Sequence, residues 1–153
     1  MCRIPTDIDD SEKIVRVVMS PSHIDKRNPS RLKPAAFRSR AGSDDVSVLR
    51  HTYTGTDFCK RKGKEIANPK ASYVGLAVLS AAGIRSTGSS IHDSRDEFLG
   101  HAHISHGLTL PRNEPPNSED NLVIQERCRA LCAIAALHID PDPEKEIWTG
   151  ASL

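Results

Sequence analysis

The sequence predicts an α+β domain: a small mixed or antiparallel sheet of short strands, with one long C-terminal helix packed on it. Three observations predict this. Short runs rich in β-branched or apolar residues recur between turn-forming residues. Only the stretch after Ser118 carries apolar residues at sustained helical spacing. The chain has 153 residues, enough for one domain that buries roughly two thirds of the surface its unfolded form would expose.

In chain order, residues 1–12 are polar and acidic and are expected to be flexible. Ile14-Val15-Arg16-Val17-Val18-Met19 reads as a strand closed by Ser20-Pro21. Pro21, Pro29 and Pro34 then punctuate 21–45 too often for a long element, and one helical turn fits around Lys33–Arg38, with Phe37 pointing inward. Val46 to Tyr53 reads as a second strand, with Val46, Val48 and Arg50 on one face and Leu49 and His51 on the other. Residues 54–70 are polar and basic and read as a loop. Tyr73 to Leu79 is apolar throughout; strand is preferred because Gly75 would cost about 1 kcal/mol inside a helix. Ser80 then caps a short turn closed by Gly88. Ser90-Ile91-His92 and His101 to Ser105 read as two further strands. The long helix starts with Ser118 as N-cap and Glu119 and Asp120 in its first turn. It buries Ile124, Cys128, Leu131, Cys132 and Ala135, and Asp140-Pro141-Asp142-Pro143 ends it. Residues 13–139 thus form one domain with basic loops at 21–45 and 54–70, and 140–153 form a tail in which Trp148 folds back.

No apolar run reaches the roughly 20 residues of a membrane span, and the N-terminus lacks the apolar stretch of a signal peptide. A cytoplasmic protein with no membrane partner is expected, and Cys2, Cys59, Cys128 and Cys132 read as free thiols. The net charge of +1 conceals an asymmetry: residues 26–70 hold twelve basic side chains against four acidic ones, and the rest of the chain nine against sixteen. That basic segment includes Arg31, Lys33, Arg38, Arg40, Lys60, Arg61, Lys62 and Lys64. Neutralised phosphates release counterions, so these residues are candidates for contact with nucleic acid or nucleotide phosphates. The same charges also fit a solvated loop balanced by the acidic remainder.

The histidines form a second set of candidates. His101 and His103 share one strand face about 7 Å apart, close enough to meet one divalent metal ion, with His106 as a third ligand. A metal-free arrangement is the other option. One histidine of His51, His101 and His103 would take a 2′-hydroxyl proton, another would protonate the leaving oxygen, and Arg85 would stabilise the charge between them. No cofactor is required for that chemistry. His103-Ile104-Ser105 resembles half of the paired His-x-Ser/Thr signature of two-histidine phosphoesterases, and the second half is missing. A solvated strand face that carries histidines accounts for the same residues.

Ser22-His23-Ile24, Leu32-Lys33-Pro34-Ala35-Ala36-Phe37, Val46-Ser47-Val48, Gly75 to Leu79 with Ile84-Arg85, and His101-Ala102-His103-Ile104 resemble segments of small uncharacterised bacterial proteins. The resemblance spans roughly residues 14–136. It implies a bacterial origin and an association with defence or mobile-element genes, with no activity attached. The expected function is therefore an accessory or effector protein that binds nucleic acid or nucleotide phosphates. The alternatives are a phosphodiester-cleaving enzyme and a subunit that joins a partner protein or its own copies.

Overall fold

The computed structural model describes residues 3–39, 43–109 and 115–153. Its centre is a six-stranded sheet in the order β4-β5-β2-β1-β3-β6, with every neighbouring pair antiparallel. The strands are β1 (Lys13–Ser20), β2 (Asp45–Arg50), β3 (Ser72–Ser80), β4 (Ser90–Asp93), β5 (His101–Ser105) and β6 (Ala136–Ile139). The helices are α1 (His51–Thr54), α2 (Thr56–Ile66), α3 (Ala81–Ser86) and α4 (Ser118–Ile134), with one 3₁₀ turn at Pro34–Phe37. Among the described residues no helix is long and apolar enough to cross a membrane.

Period-2 alternation along β1 divides the interior into two cores. Ile14 and Val18 join Val46, Val48, Ala77, Leu79, Ala102 and Ile104 on the first face, which the 3₁₀ turn, α3 and α4 cover through Phe37, Ile84, Ile124, Cys128 and Leu131. Val15, Val17 and Met19 join Leu49, Tyr73 and Leu76 on the second face, which α2 and the C-terminal tail cover through Cys59, Trp148 and Leu153. The tail does fold back: the Trp148 indole donates to the Ala151 carbonyl at 2.9 Å and lies against this core.

The expected α+β class, the strands near 14, 46, 73, 90 and 101, the turn at Pro34 and the long helix are all present, and four assignments need correction. Residues 54–70 are mostly the helix α2 and not a loop. Its buried side is narrow and built around Gly63, where an added β-carbon would come within 2.6 Å of the Tyr73 ring. The helix is polar overall, so its amphipathic signal lies in the spacing of its charges and not in an apolar stripe. The second strand stops at Arg50, whose N–H donates to the Gly100 carbonyl where the β5 ladder ends; His51 then opens α1. The N-cap of α4 is Asn117, whose Oδ1 accepts from the Asp120 N–H at 2.8 Å. Residues 136–139 form the edge strand β6, and α4 ends before it at Ile134.

The N-terminal residues 3–12, expected to be flexible, are tied down by a buried cation. Arg50 is 0% exposed and its guanidinium meets both oxygens of Glu12, at 2.6 and 2.9 Å, and Asp93 Oδ2 at 2.7 Å. It also donates to the carbonyls of Pro5 and Asp7. A buried guanidinium has five N–H groups to satisfy, and backbone carbonyls from this segment complete the set.

Candidate functional site

The histidine candidates do not assemble into one centre. His103 lies directly opposite His92 in the β4–β5 register, with ring centroids 5.4 Å apart, and its Nε2 is 3.6 Å from Asp45 Oδ1. His101 lies on the same sheet face but is buried under Phe98, with Nδ1 2.5 Å from Ser94 Oγ. Burial lowers its pKa, partly offset by nearby Glu97. His51, on α1, places Nε2 2.7 Å from Thr56 Oγ1, and burial together with Lys13 lowers its pKa. Arg85 belongs to α3 on the opposite face of the sheet, where it pairs with Asp10 at 2.5 Å and donates to the Ile8 carbonyl. The expected grouping of His51, His101 and His103 with Arg85 is therefore corrected: Arg85 is engaged by Asp10 and Ile8 and lines a cleft at the sheet edge with His92, a cleft whose lining does not include His51, His101 or His103.

The metal triad is corrected in the same way. His106 follows the last residue of β5 and points to the first face, where its Nε2 meets the Phe37 carbonyl at 3.1 Å. Among the described residues no group of three or more His, Cys, Asp or Glu side chains is arranged to hold a metal ion.

The basic segment divides between the two faces. On α2, Lys60 is fully buried, 3.0 Å from Asp140 Oδ2 and donating at 2.8 Å to the carbonyls of both Asp142 and Ile147. It fastens the tail and is closed to any ligand, which overturns its expected role as a phosphate contact. Lys64 is turned to the carbonyls of Glu144 and Lys145 and to Glu146. Lys62 pairs with Glu65 and lies 4.2 Å from the centroid of Phe98, and Arg61 stacks on Phe58. Of the cations on the first face, Arg38 donates to Asn121 Oδ1 at 3.0 Å. Arg40 lies outside the described residues.

Arg31 and Lys33 are placed differently. Residues 24–33 form a tight loop closed by the Ile24–Leu32 bridge, by the Asp25 N–H on the Arg31 carbonyl and by the Lys33 N–H on the His23 carbonyl. Asn28 and Pro29 turn the chain, and the Asn28 carbonyl accepts from the Arg31 N–H at 2.9 Å. This loop faces the C-terminal half of α4 across a cleft of about 720 Å³. Arg31, Lys33 and Arg129 line it, over a floor that includes Leu32, Pro34, Ala133 and Leu137. None of the three cations forms an ion pair among the described residues. The one carboxylate in the lining, Asp25, already accepts the Arg27 N–H at 2.8 Å.

The electrostatics of the neighbours reflect those cations. His23 sits beside the loop with Nδ1 accepting from the Met19 N–H at 3.0 Å. Burial first, then the charges of Arg16 and Lys33, lower its pKa to about 4. The Cys132 thiol, which donates to the Leu32 carbonyl at 3.3 Å, is pushed up by burial and pulled back by Arg31. A volume in the range of small-molecule pockets, an apolar floor and three cations against the single carboxylate of Asp25 suit an anionic ligand with an apolar or aromatic body. Sequence reasoning missed Arg129. Its signal was present, since a cation one residue after Cys128 and three before Cys132 sits at the edge of the buried helical stripe.

No protein-family model, curated protein or solved structure matches this chain.

Proposed function

We propose that this chain is a small bacterial accessory or effector protein that binds a phosphate-bearing ligand, a nucleotide or a nucleic-acid strand, in the cleft between residues 24–33 and α4. Arg31, Lys33 and Arg129 contact the phosphates, and Leu32, Pro34 and Leu137 receive the base or sugar. The observation that carries this reading is the convergence of three cations, none in an ion pair among the described residues, on one cleft. Arginine supplies paired donors that match phosphate oxygens, while lysine adds a mobile point charge.

Fluorescence anisotropy with labelled single-stranded RNA and DNA, competed by mononucleotides and repeated over a salt series, tests it. The Arg31→Ala/Lys33→Ala variant weakens binding by at least about tenfold and flattens the salt dependence by roughly two phosphate equivalents. The Arg61→Ala/Lys62→Ala variant changes neither. Failure of the wild type to retain any of these ligands at low salt overturns the reading.

One observation favours a second reading, phosphodiester cleavage. The cross-strand pair of exposed His92 and half-buried His103, 5.4 Å between centroids, sets two imidazoles within reach of one phosphate as acid and base. RNA turnover by the wild type, lost in His103→Ala and indifferent to chelator, supports it; no turnover under any condition removes it.

A further inference from the structure

The corner where β4 begins and β5 ends holds buried polar groups that nothing in the fold explains. Ser90 pairs with Ser105, and Ser89 and His106 are the next residues outward along each chain; His106 turns to the first face, where its ring meets the Phe37 carbonyl. Ser89 and His106 are 5% and 2% exposed, and among the described residues Ser89 Oγ and His106 Nδ1 have no hydrogen-bond partner. Arg127 of α4 enters the same corner. Its Nη1 donates to the Thr87 carbonyl at 2.9 Å, and its guanidinium lies so close over Gly88 that an added β-carbon would come within 2.6 Å of it. Its Nε is also buried without a partner.

Native interiors leave few such groups unsatisfied, and three at one place mark a site for something that would satisfy them. The charge state indicates what. Arg127 forms no ion pair among the described residues, yet Thr87 and Gly88 fix its guanidinium in place. Arg127 itself is half-buried, and an anion would both complete these hydrogen bonds and pair with its charge, whereas a water would do only the first. We infer that buried Ser89 and His106 and half-buried Arg127 form a site for a small oxyanion of the phosphate or sulfate class. The site is separate from the cleft of the proposed function, because Arg127 and Arg129 project about 160° apart around α4.

The imidazole adds a proton linkage. The Phe37 carbonyl only accepts, so His106 Nε2 carries the hydrogen and Nδ1 presents a bare lone pair. Burial lowers the His106 pKa, the Phe37 bond and the Asp44 carboxylate raise it, and Arg127 lowers it. Asp44 also accepts from the His106 backbone N–H at 3.1 Å. A fully deprotonated oxyanion facing Nδ1 draws a proton onto that nitrogen, which then donates to the anion. Sulfate affinity therefore rises as pH falls.

Calorimetric titration of the full chain with sodium sulfate and sodium phosphate, in buffers of different ionisation heat and on both sides of neutral pH, tests the site. The expected result is one saturable site with net proton uptake for sulfate. Affinity falls roughly tenfold in Ser89→Ala and in Arg127→Gln, and stays unchanged in Arg31→Ala/Lys33→Ala. Ser89→Ala removes only a hydroxyl and keeps the fold, so its result stands even where the Arg127 variant unfolds. No saturable binding by the wild type, as expected if the corner holds only water, overturns the inference. So does equal affinity in wild type and Ser89→Ala, or sulfate binding without proton uptake. The unchanged cleft variant keeps this outcome distinct from the fate of the proposed function.

Discussion

Residues 60–64 and residues 31–33 look alike in the sequence, since both are cation-rich, polar and close to prolines or glycines. The fold uses them in opposite ways. In α2, Lys60 and Lys64 act as internal fasteners: both Nζ groups are bound by carbonyls and carboxylates of the C-terminal tail. In the 24–33 loop the backbone makes the structural bonds, leaving Arg31 and Lys33 on the cleft wall, neither in an ion pair among the described residues. A cation inside a helix that packs on a sheet is consumed by whatever covers that helix. A cation on a loop held by its own amides stays open to a ligand. Charge density alone does not distinguish the two.

The largest effect that separates these regions is on stability. Lys60→Met leaves Asp140 buried without its cation and lowers unfolding free energy by about 3–5 kcal/mol, read from denaturant midpoints. Loss of only a few tenths would mean that the Tyr73 hydroxyl, 2.7 Å from Asp140 Oδ2, holds the carboxylate alone.

Acid weakens the same buried pairs. Burial acts to raise the carboxyls of Asp140 and Asp93, but hydrogen bonds from Tyr73 and Lys60 to the first, and from Arg95 and Arg50 to the second, more than offset it and hold both below the ordinary 3.8. Their stabilisation is complete above that value and is lost as pH falls below it toward the depressed native values. A melting temperature that stays flat through this acid range in the wild type would contradict the pairing.

The ligand side of the comparison follows. Arg129→Ala is expected to weaken phosphate-ligand binding about tenfold with an unchanged melting temperature, checked by anisotropy and calorimetry together. Equal weakening by Lys62→Ala would instead move the contact surface to α2.

A smaller signal comes from His23, which feels the charge of the cleft residue Lys33. Its native pKa of about 4 lies below the ordinary 6.5, so between these values the unfolded chain binds a proton that the native chain does not. Stability therefore falls as pH drops through this window, and His23→Gln flattens part of that slope in urea titrations at several pH values. Ring-proton titration by NMR should also show the His23 pKa rising in Lys33→Gln, because one of the charges that lower it is gone.

Much of the architecture was legible in the chain. The β-branched run at 14–19, the partial alternation at 46–50, the apolar run at 73–79 and the stripe from Ile124 to Leu131 each report a surface that must be hidden, and such patterns are properties of neighbouring residues. Helix α2 and strand β6 were not legible: one packs through a glycine, a cysteine and a lysine, and the other is an edge strand of four residues that Gly75 admits close to β3.

The sequence by itself determined the α+β class, the order of most elements and the concentration of positive charge between residues 26 and 70. Only the tertiary structure decided which of those charges are consumed inside the molecule, that Arg129 joins Arg31 and Lys33, and that Arg85 is held by Asp10 and Ile8. The reason is physical. Periodicity is a property of neighbouring residues, whereas the state of a charged side chain depends on which distant carbonyls and carboxylates the closed fold brings within hydrogen-bonding distance.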